Sequence, residues 1–577
     1  FSISYHAVCA TGKQEIAFDI EIEGSASGSL DFRGTATPKT DFLTARTGFV
    51  VLHPLTGTVD HAVELEHTDG SIENSAFPEI INPVQPFFHL RAMTHEIFPG
   101  VKATVRFEGD TWETEDHRNW TDASFKTYVR PLALPWPYVL KAGEVVKQSV
   151  KVTLSGNVPK AKKAGGAQAV EIKLGAASKE SVAPVGLGVP AEEISHTIQR
   201  LDLLKLAAPK LIIGQIDPRK HDGLKELYGY RVLCELTGAQ MMLEAIVGSL
   251  DRFAEELKGL VEKIRQSGIT LAAVAVVPVG DLKSVLPGGP RPPAPALDDL
   301  YKAARAAFPG VKLGGGMFSF FTELNRKRVP VKQLDFVTNT TCPTVHAADD
   351  RSVMETLEAL PHQIKTARTF IGKTPHRIGP SAIGCRDNPH GATYTPNPKN
   401  ERVCLPLVDP RMRAQFGAAW IAGYIATLAR TGVESVAIGA STGPLGIIYR
   451  KGEHTQPYFD EAKEARVFPS FHVISGLTRA AGRKIVTCTS TDFSKVQCLA
   501  YKEKKGTLVW LINLTADEQT VTLSGHGTGA KFIGLLDETS FAQATTDPRG
   551  FQSRCKPLEG NTVKLKAYAV AFVSVND

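Results

Sequence analysis

The sequence predicts a multi-domain protein of α/β and all-β parts: a central (β/α)8 TIM-type barrel flanked by N-terminal and C-terminal β-sandwich domains. Three observations predict this architecture. Short alternating segments fill roughly the first 155 residues, strand-and-helix patterns repeat through the middle, and alternation returns in the last hundred residues. At 577 residues, the chain has the length of about three domains of ordinary size.

The N-terminal domain is expected over residues 1–175. Its runs alternate apolar and polar residues, as in "EIAFDIEIEG" and "VKATVRFEGD", and Gly, Pro and Asp separate them. A period of two with frequent turn residues is typical of an antiparallel β-sandwich. The domain boundary is expected inside the stretch 158–181, which is rich in Lys, Ala and Gly.

The barrel is expected over residues 176–466, and the C-terminal β-sandwich over 467–577. Eight barrel strands are predicted, in the segments "APVGLGV", "KLIIGQI", "RVLCEL", "LAAVAVVPV", "VKLGGGMF", "LDFVTNTT", "HRIGPSAIG" and "SVAIGAS". Eight such units fit the usual length of a barrel, about 250 residues. A doubly wound open sheet is the alternative, but the GxGxxG turn expected after its first strand is missing.

Composition argues against several classes of protein. Apolar residues make up 42% and charged residues 22%, as in ordinary soluble globular proteins. The net charge of +6 is small for this length and favours no nucleic-acid partner, and no apolar run is long enough to span a membrane. Eight scattered cysteines without a CxxC pair indicate free thiols. No signal peptide is recognisable, so we expect a cytoplasmic protein of open oligomeric state.

Candidate site residues are those that follow the predicted barrel strands, since barrel active sites lie at the C-terminal strand ends. They are Glu235 after strand three, Glu323 and Asn325 after strand five, His346 and Asp349 after strand six, and Arg386 after strand seven. Each also has a structural interpretation: Glu323 or Arg386 could brace a loop, and Asp349 could cap a helix. Glu235 in an apolar strand would need a partner in either case.

A second group of candidates lies in the stretch "WETEDHRNWTDASFKTYVR" at 112–130. One interpretation is a strand pair with solvated charges and buried tryptophans. The other is a hairpin that reaches the barrel mouth and brings Glu115, Asp116, Arg118, Asn119 and Trp120 to a polyhydroxylated ligand. Carboxylates, amides and an aromatic face are the groups that bind such ligands.

The same stretch carries a family likeness. "TWETEDHRNWTDASFKTYVRPLALPWPY" resembles the D-apionate lactonase family of bacterial apiose catabolism, and "FPEIINPVQPF", "GGGMFSFFTELNR" and "VHAADDRSVMETLEAL" follow in the same order. The resemblance covers the N-terminal region and the barrel. It implies hydrolysis of the five-membered lactone of a branched sugar acid, D-apionolactone to D-apionate, with a small sugar lactone as the binding partner.

Lactone hydrolysis needs a base for the attacking water and donors for the oxyanion. Our hypothesis assigns the base to Glu235 or Glu323 and a donor role to His346. The alternative is a glycoside hydrolase, but "VVPVGDL" and "PSAIGCR" lack the glutamates that such barrels carry after strands four and seven. A third hypothesis is a sugar-binding protein without turnover. No local spacing supports a metal site, and no cofactor is expected.

Overall fold

The computed structural model describes residues 1–158, 168–525, 527 and 529–576. These residues form two compact units, one of residues 1–119 and 123–158, the other of residues 120–122 and 168–576. Among the helices of these residues, none combines the length and the apolar character needed to cross a membrane.

The first unit is all-β. Its strands are β1 Ser2–Thr11, β2 Gln14–Gly24, β3 Ser29–Pro38, β4 Phe42–Thr44, β5 Val50–Pro54, β6 Ala62–His67, β7 Ile72–Ala76, β8 Phe87–Phe98, β9 Val101–Glu108, β10 Trp112–Asp116, β11 Ser124–Val129, β12 Tyr138–Leu140 and β13 Val146–Gly156. The strand order in the main sheet is β1-β2-β3-β13-β9-β8-β10-β11-β5. In addition, β6 pairs with β8 and β7 pairs with β6, while β4 and β12 form a separate pair. The all-β prediction is confirmed, and the arrangement as a sandwich stays a prediction.

The second unit contains β14 Val170–Ser181 and a closed barrel of eight strands. The barrel strands are β15 Val185–Gly188, β16 Leu211–Ile216, β17 Gln240–Val247, β18 Leu271–Pro278, β19 Lys312–Phe320, β20 Phe336–Thr340, β21 His376–Ser381 and β22 Ser435–Ile438. All neighbours are parallel, including β15 and β22, which close the ring. The predicted barrel is therefore confirmed.

Helices accompany the barrel strands and support its outer face. They are α1 Ile194–Gln199, α2 Leu201–Ala207, α3 Leu224–Thr237, α4 Phe253–Ser267, α5 Leu297–Ala307, α6 Phe321–Arg326, α7 Asp350–Glu355, α8 Leu360–Ile371, α9 Gln415–Leu428, α10 Ser470–Arg479 and, further along, α11 Phe541–Thr546. The predicted strand "RVLCEL" is wrong, because it lies in α3. Leu227, Tyr230 and Leu233 recur every three residues and are the buried positions of that helix.

The C-terminal sheet has nine strands, and one of them precedes the barrel in the chain. The others are β23 Lys484–Ser490, β24 Val496–Glu503, β25 Gly506–Asn513, β26 Gln519–Ser524, β27 Lys531–Leu536, β28 Lys556–Pro557, β29 Thr562–Leu565 and β30 Val570–Asn576. β14 lies between β23, to which it is antiparallel, and β26, to which it is parallel. The domain boundaries at 175 and 466 stay predictions.

Candidate active site

A cavity of about 610 Å³ lies at the C-terminal ends of the barrel strands. Its inner wall is apolar and includes Ile213, Ile246 and Phe318. Its polar groups follow four strands: Glu192, Glu193 and His196 after β15, Asp217, Arg219, Lys220 and His221 after β16, Arg386, Asp387 and Tyr394 after β21, and Thr442, Arg450, Glu453 and His454 after β22. A cavity with an apolar inner wall and converging polar groups, placed at this end of a barrel, is the expected location of a small-molecule site.

Arg386, a predicted site residue, is fixed on the cavity wall by a buried carboxylate. Glu244 on β17 is completely buried, and the Arg386 guanidinium donates to both of its oxygens, with Nη1 3.1 Å from Oε1. Gln215 Nε2 donates to Oε2 of the same carboxylate at 3.1 Å. A two-pronged pair of this kind fixes the plane of the guanidinium as well as its charge.

Two more arginine–carboxylate pairs form the neighbouring walls. Arg219 donates to Asp217 from Nε at 2.9 Å and from Nη2 at 2.7 Å. Arg450 donates to Glu193 from Nε at 2.7 Å and through Nη2. Burial acts to raise the pKa of Asp217, but the hydrogen bonds from Arg219 hold it below its usual value, so this carboxylate is poorly suited to take a proton from water.

Asp387 differs from the arginine-paired carboxylates of the cavity wall. Among the described residues, no side chain donates a hydrogen bond to its carboxylate, although it lies directly after Arg386 on the cavity wall. Burial raises the pKa of Asp387, and the charges of Arg386 and Lys220 oppose that rise only in part. A carboxyl group with a raised pKa in a cavity is suited to general acid–base chemistry.

Tyr394 holds the segment that carries Asp387. Its hydroxyl donates to the backbone oxygen of Arg386 at 2.7 Å. Burial raises the pKa of Tyr394 to about 12, with the charge of Asp387 adding to the effect. The phenol therefore stays protonated at neutral pH and remains a hydrogen-bond donor.

Glu235 is placed differently from its predicted position. It lies on α3 with a side chain 63% exposed, and its carboxylate is 3.6 Å from Arg231 Nε, one helical turn earlier. It is not among the residues that line the cavity. The expected position at the end of a barrel strand is wrong, because the segment is a helix.

We expect Glu235→Gln to change the free energy of unfolding by no more than about 0.5 kcal/mol, since exposed pairs one helical turn apart contribute little. Urea unfolding measures this change. The turnover of the same variant tests the catalytic hypothesis for Glu235, and a loss of about 10²-fold or more would restore it.

Glu323 lies on α6 and is completely buried. Lys327 Nζ lies 3.1 Å from its carboxylate without meeting hydrogen-bond geometry, and donates instead to the backbone oxygen of Asp281 at 2.9 Å. Burial raises the pKa of Glu323 while Lys327 opposes the rise. Glu323 lies just past the end of β19, as predicted, but its carboxylate faces the buried Lys327 and the residue is not part of the cavity lining. Its catalytic role stays a prediction. Asn325, two residues further, is also buried and accepts from Arg328 at 3.4 Å.

His346 belongs to a separate cluster within the second unit. Its Nδ1 lies 2.9 Å from Asp122 Oδ2, and its ring meets the Trp120 indole edge-on at 5.7 Å between centroids. The guanidinium of Arg326 lies 5.2 Å from the Trp120 ring, and His390 packs at 4.8 Å. Trp120 is thus buried among these side chains, and the cluster does not line the cavity.

Asp349 is the N-cap of α7. Its side chain accepts the backbone N–H of Ser352 at 2.9 Å, which is the contact that an N-cap residue makes. Of the two interpretations given to Asp349, the structure shows the helix cap.

The predicted ligand-binding residues of the first unit form internal contacts. Arg118 and Asp116 are completely buried and joined by two hydrogen bonds of 2.9 and 2.7 Å. Asn119 Nδ2 donates to the backbone oxygens of Asn82 and Asp116, and Lys126 lies 2.8 Å from Glu115. The interpretation that these charges are solvated is wrong, because most of them are buried. Their role toward a ligand stays a prediction.

Sequence reasoning missed Glu244 and Asp387. Glu244 is the only charged residue in "QMMLEAIV", and a charge inside an apolar strand signals a buried partner. Asp387 lies between Arg386 and Asn388, in a segment that already held a candidate.

Comparison with known proteins covers most of the chain. The family descriptions that match are the D-apionate lactonase N-terminal domain at residues 1–157, the TIM barrel domain at 185–482 and the C-terminal immunoglobulin-like domain at 494–573. A D-apionate lactonase from Brucella anthropi is 37% identical over 555 residues, which are 96% of this chain and 87% of that protein.

Solved structures with a detectable likeness are more distant. A GH30 endoxylanase from Clostridium papyrosolvens C71 is 11% identical with a TM-score of 0.42, over 71% of this chain and 100% of that one. A conserved exported protein from Bacteroides fragilis is 10% identical with a TM-score of 0.46, over 70% and 100%. Likenesses this low carry no functional argument, whereas the family matches and the 37% identical relative do. The chain belongs to the D-apionate lactonase family.

Proposed function

We propose that this protein hydrolyses D-apionolactone to D-apionate in the barrel cavity, with Asp387 as the general base. The observation that carries the proposal is the Asp387 carboxylate. Its pKa is raised, and no side chain among the described residues donates a hydrogen bond to it, because the arginines of the cavity wall are paired with other carboxylates. Family membership supports the substrate class.

The chemistry needs one water and one carboxylate. Asp387 removes a proton from the water while the water oxygen adds to the lactone carbonyl carbon. Arg386 and Lys220 supply positive charge near the oxyanion that forms. The ring C–O bond then breaks, and the Asp387 carboxyl returns the proton to the leaving alkoxide. The products are the open hydroxy acid and a regenerated carboxylate, and the acid loses its proton to solvent at neutral pH.

Several expectations accompany this proposal. We place the enzyme in the cytoplasm, with a small sugar lactone as its ligand and without a nucleic-acid or membrane partner. We also expect sandwich arrangements in both flanking domains. The predicted ligand contacts of Glu115, Asp116, Arg118 and Asn119 remain part of the proposal.

A pH-stat assay tests the function. We expect acid release well above the spontaneous rate from apionolactone, and slower release from galactonolactone and gluconolactone, which lack the branched carbon skeleton. Nitrophenyl glycosides serve as the control for a glycoside hydrolase. Nitrophenol release without lactone opening would overturn the proposal, and so would titration calorimetry that shows lactone binding with no turnover.

A further inference from the structure

We propose that Gln215 is a specificity-determining residue of the same reaction. Its side-chain oxygen accepts a hydrogen bond from the substrate hydroxyl on carbon 2, the carbon next to the lactone carbonyl. This inference rests on the proposed function. It concerns the end of β16, where Gln215 lines the cavity.

The alternation of side chains along β16 turns Gln215 toward the cavity. Successive side chains of a strand point to opposite sides, so Ile213 and Gln215 share one side, and both line the cavity. Glu244 is the residue paired with Gln215 on the neighbouring strand β17. A half-buried amide and a completely buried carboxylate therefore lie side by side at the mouth of the barrel.

Glu244 decides which way the amide of Gln215 faces. The carboxylate of Glu244, which is paired with Arg386, only accepts hydrogen bonds, whereas an amide has one end that donates and one that accepts. The donating end, Nε2, lies 3.1 Å from Glu244 Oε2. The accepting end, Oε1, is therefore the one that does not face Glu244.

Gln215 Oε1 is an acceptor that a substrate can reach. Among the described residues, none donates a hydrogen bond to it, and the atom is not closed to solvent. A buried partner fixes its direction, and the residue lines the cavity. Polar groups of this kind, few in number and fixed in place, orient the ligand in a small-molecule site.

The shared carboxylate identifies the hydroxyl that Gln215 binds. Arg386 Nη2 and Gln215 Nε2 donate to the same oxygen, Glu244 Oε2, so the two side chains are neighbours. In the proposed reaction, Arg386 supplies positive charge near the oxyanion. The substrate hydroxyl nearest to the oxyanion is the one on carbon 2. When this hydroxyl donates to Gln215 Oε1, the lactone carbonyl is held in one orientation toward Asp387.

Apionolactone and its 2-deoxy analogue, which lacks only this hydroxyl, test the inference. The pH-stat assay gives kcat/KM for each lactone, and the rates with hydroxide alone correct for the effect of the hydroxyl on the carbonyl. We expect the wild type to favour apionolactone by about 10–100-fold after this correction, since the bound hydroxyl has its acceptor. Gln215→Met keeps the length of the side chain without the amide oxygen, and we expect it to lose most of this preference.

The matched control is Asp387→Asn. Loss of the base is expected to lower the rates with both lactones by a similar factor, so the preference stays. Titration calorimetry in the Asp387→Asn background repeats the comparison without turnover. There we expect tighter binding of apionolactone than of the 2-deoxy lactone, and addition of Gln215→Met should remove the difference.

The ratio between two lactones does not change when a variant is merely less folded. The inference is overturned if the wild type shows no preference, or if Gln215→Met keeps the preference in rate or in binding. A wild type that opens no lactone overturns the proposed function, and this inference with it. A wild type that opens apionolactone and the 2-deoxy lactone equally well overturns this inference alone.

Discussion

Replacing Asp387 with Asn is expected to lower kcat/KM for the lactone by about 10²–10⁴-fold, the usual contribution of a general base. The amide has nearly the same shape but cannot accept a proton from water. Initial rates in the pH-stat assay measure the effect. The matched control is Asp222→Asn, which changes a carboxylate that is 74% exposed and outside the cavity lining.

The pH dependence of the wild type follows from the direction of the Asp387 shift. Its pKa in the folded protein is raised by burial, and the base works only when it has lost its proton. We expect kcat/KM to fall as the pH drops through this raised pKa, above the usual value for an aspartate. The profile of Asp387→Asn should lack this fall, and an unchanged profile would contradict the assignment.

The same shift predicts a change in stability. A folded-state pKa that is raised favours the protonated carboxyl group, so its contribution to stability is present at low pH and is lost as the pH rises through the folded pKa. At neutral pH the charged group is therefore unfavourable in the fold. Asp387→Asn should unfold at a higher temperature than the wild type while being far less active.

Replacing Arg118 with Met is expected to lower the free energy of unfolding by about 3–5 kcal/mol. The change leaves the Asp116 carboxylate completely buried without its cation. It also removes donors to the backbone oxygens of Pro78 and Glu79. Urea unfolding of the full chain, followed by circular dichroism, measures the loss.

Two further variants identify the cause. Arg33→Met removes an arginine that is 39% exposed and paired with surface carboxylates, and we expect a change below about 1 kcal/mol. Adding Asp116→Asn to Arg118→Met removes the stranded charge and should recover part of the loss. Equal effects at the two arginines would show that burial of the pair is unimportant.

The barrel was predictable because the pattern of a strand followed by a helix repeats along the sequence. Its third strand, β17, was not predicted. Both "RVLCEL" and "QMMLEAIV" are short apolar runs, and periodicity alone does not separate a buried strand from a short part of a helix. The seven correct strands were sufficient to predict a closed ring. Because the third strand was wrongly predicted, the candidate carboxylate was Glu235, two residues before the end of α3, instead of Glu244 on β17.

The candidate site was less predictable, because its charges depend on pairing in space. Glu323 and Asp387 are both carboxylates in segments after barrel strands, yet one faces a lysine and the other faces the cavity. Sequence spacing identified Arg386 as a candidate but not its partner Glu244, which lies about 140 residues earlier. Long-range pairing of this kind follows from the closed fold and cannot be derived from local patterns.

The position of β14 has a consequence for biosynthesis. This strand is translated about 300 residues before its neighbour β23. At about 5–20 residues per second, roughly 15–60 s pass before β23 is synthesised and can pair with β14. A gene fragment that starts after the barrel would encode a sheet with its interior strand missing. The C-terminal domain therefore cannot be transferred to another protein as one continuous segment. Almost the whole chain must be translated before all strands of that sheet can pair.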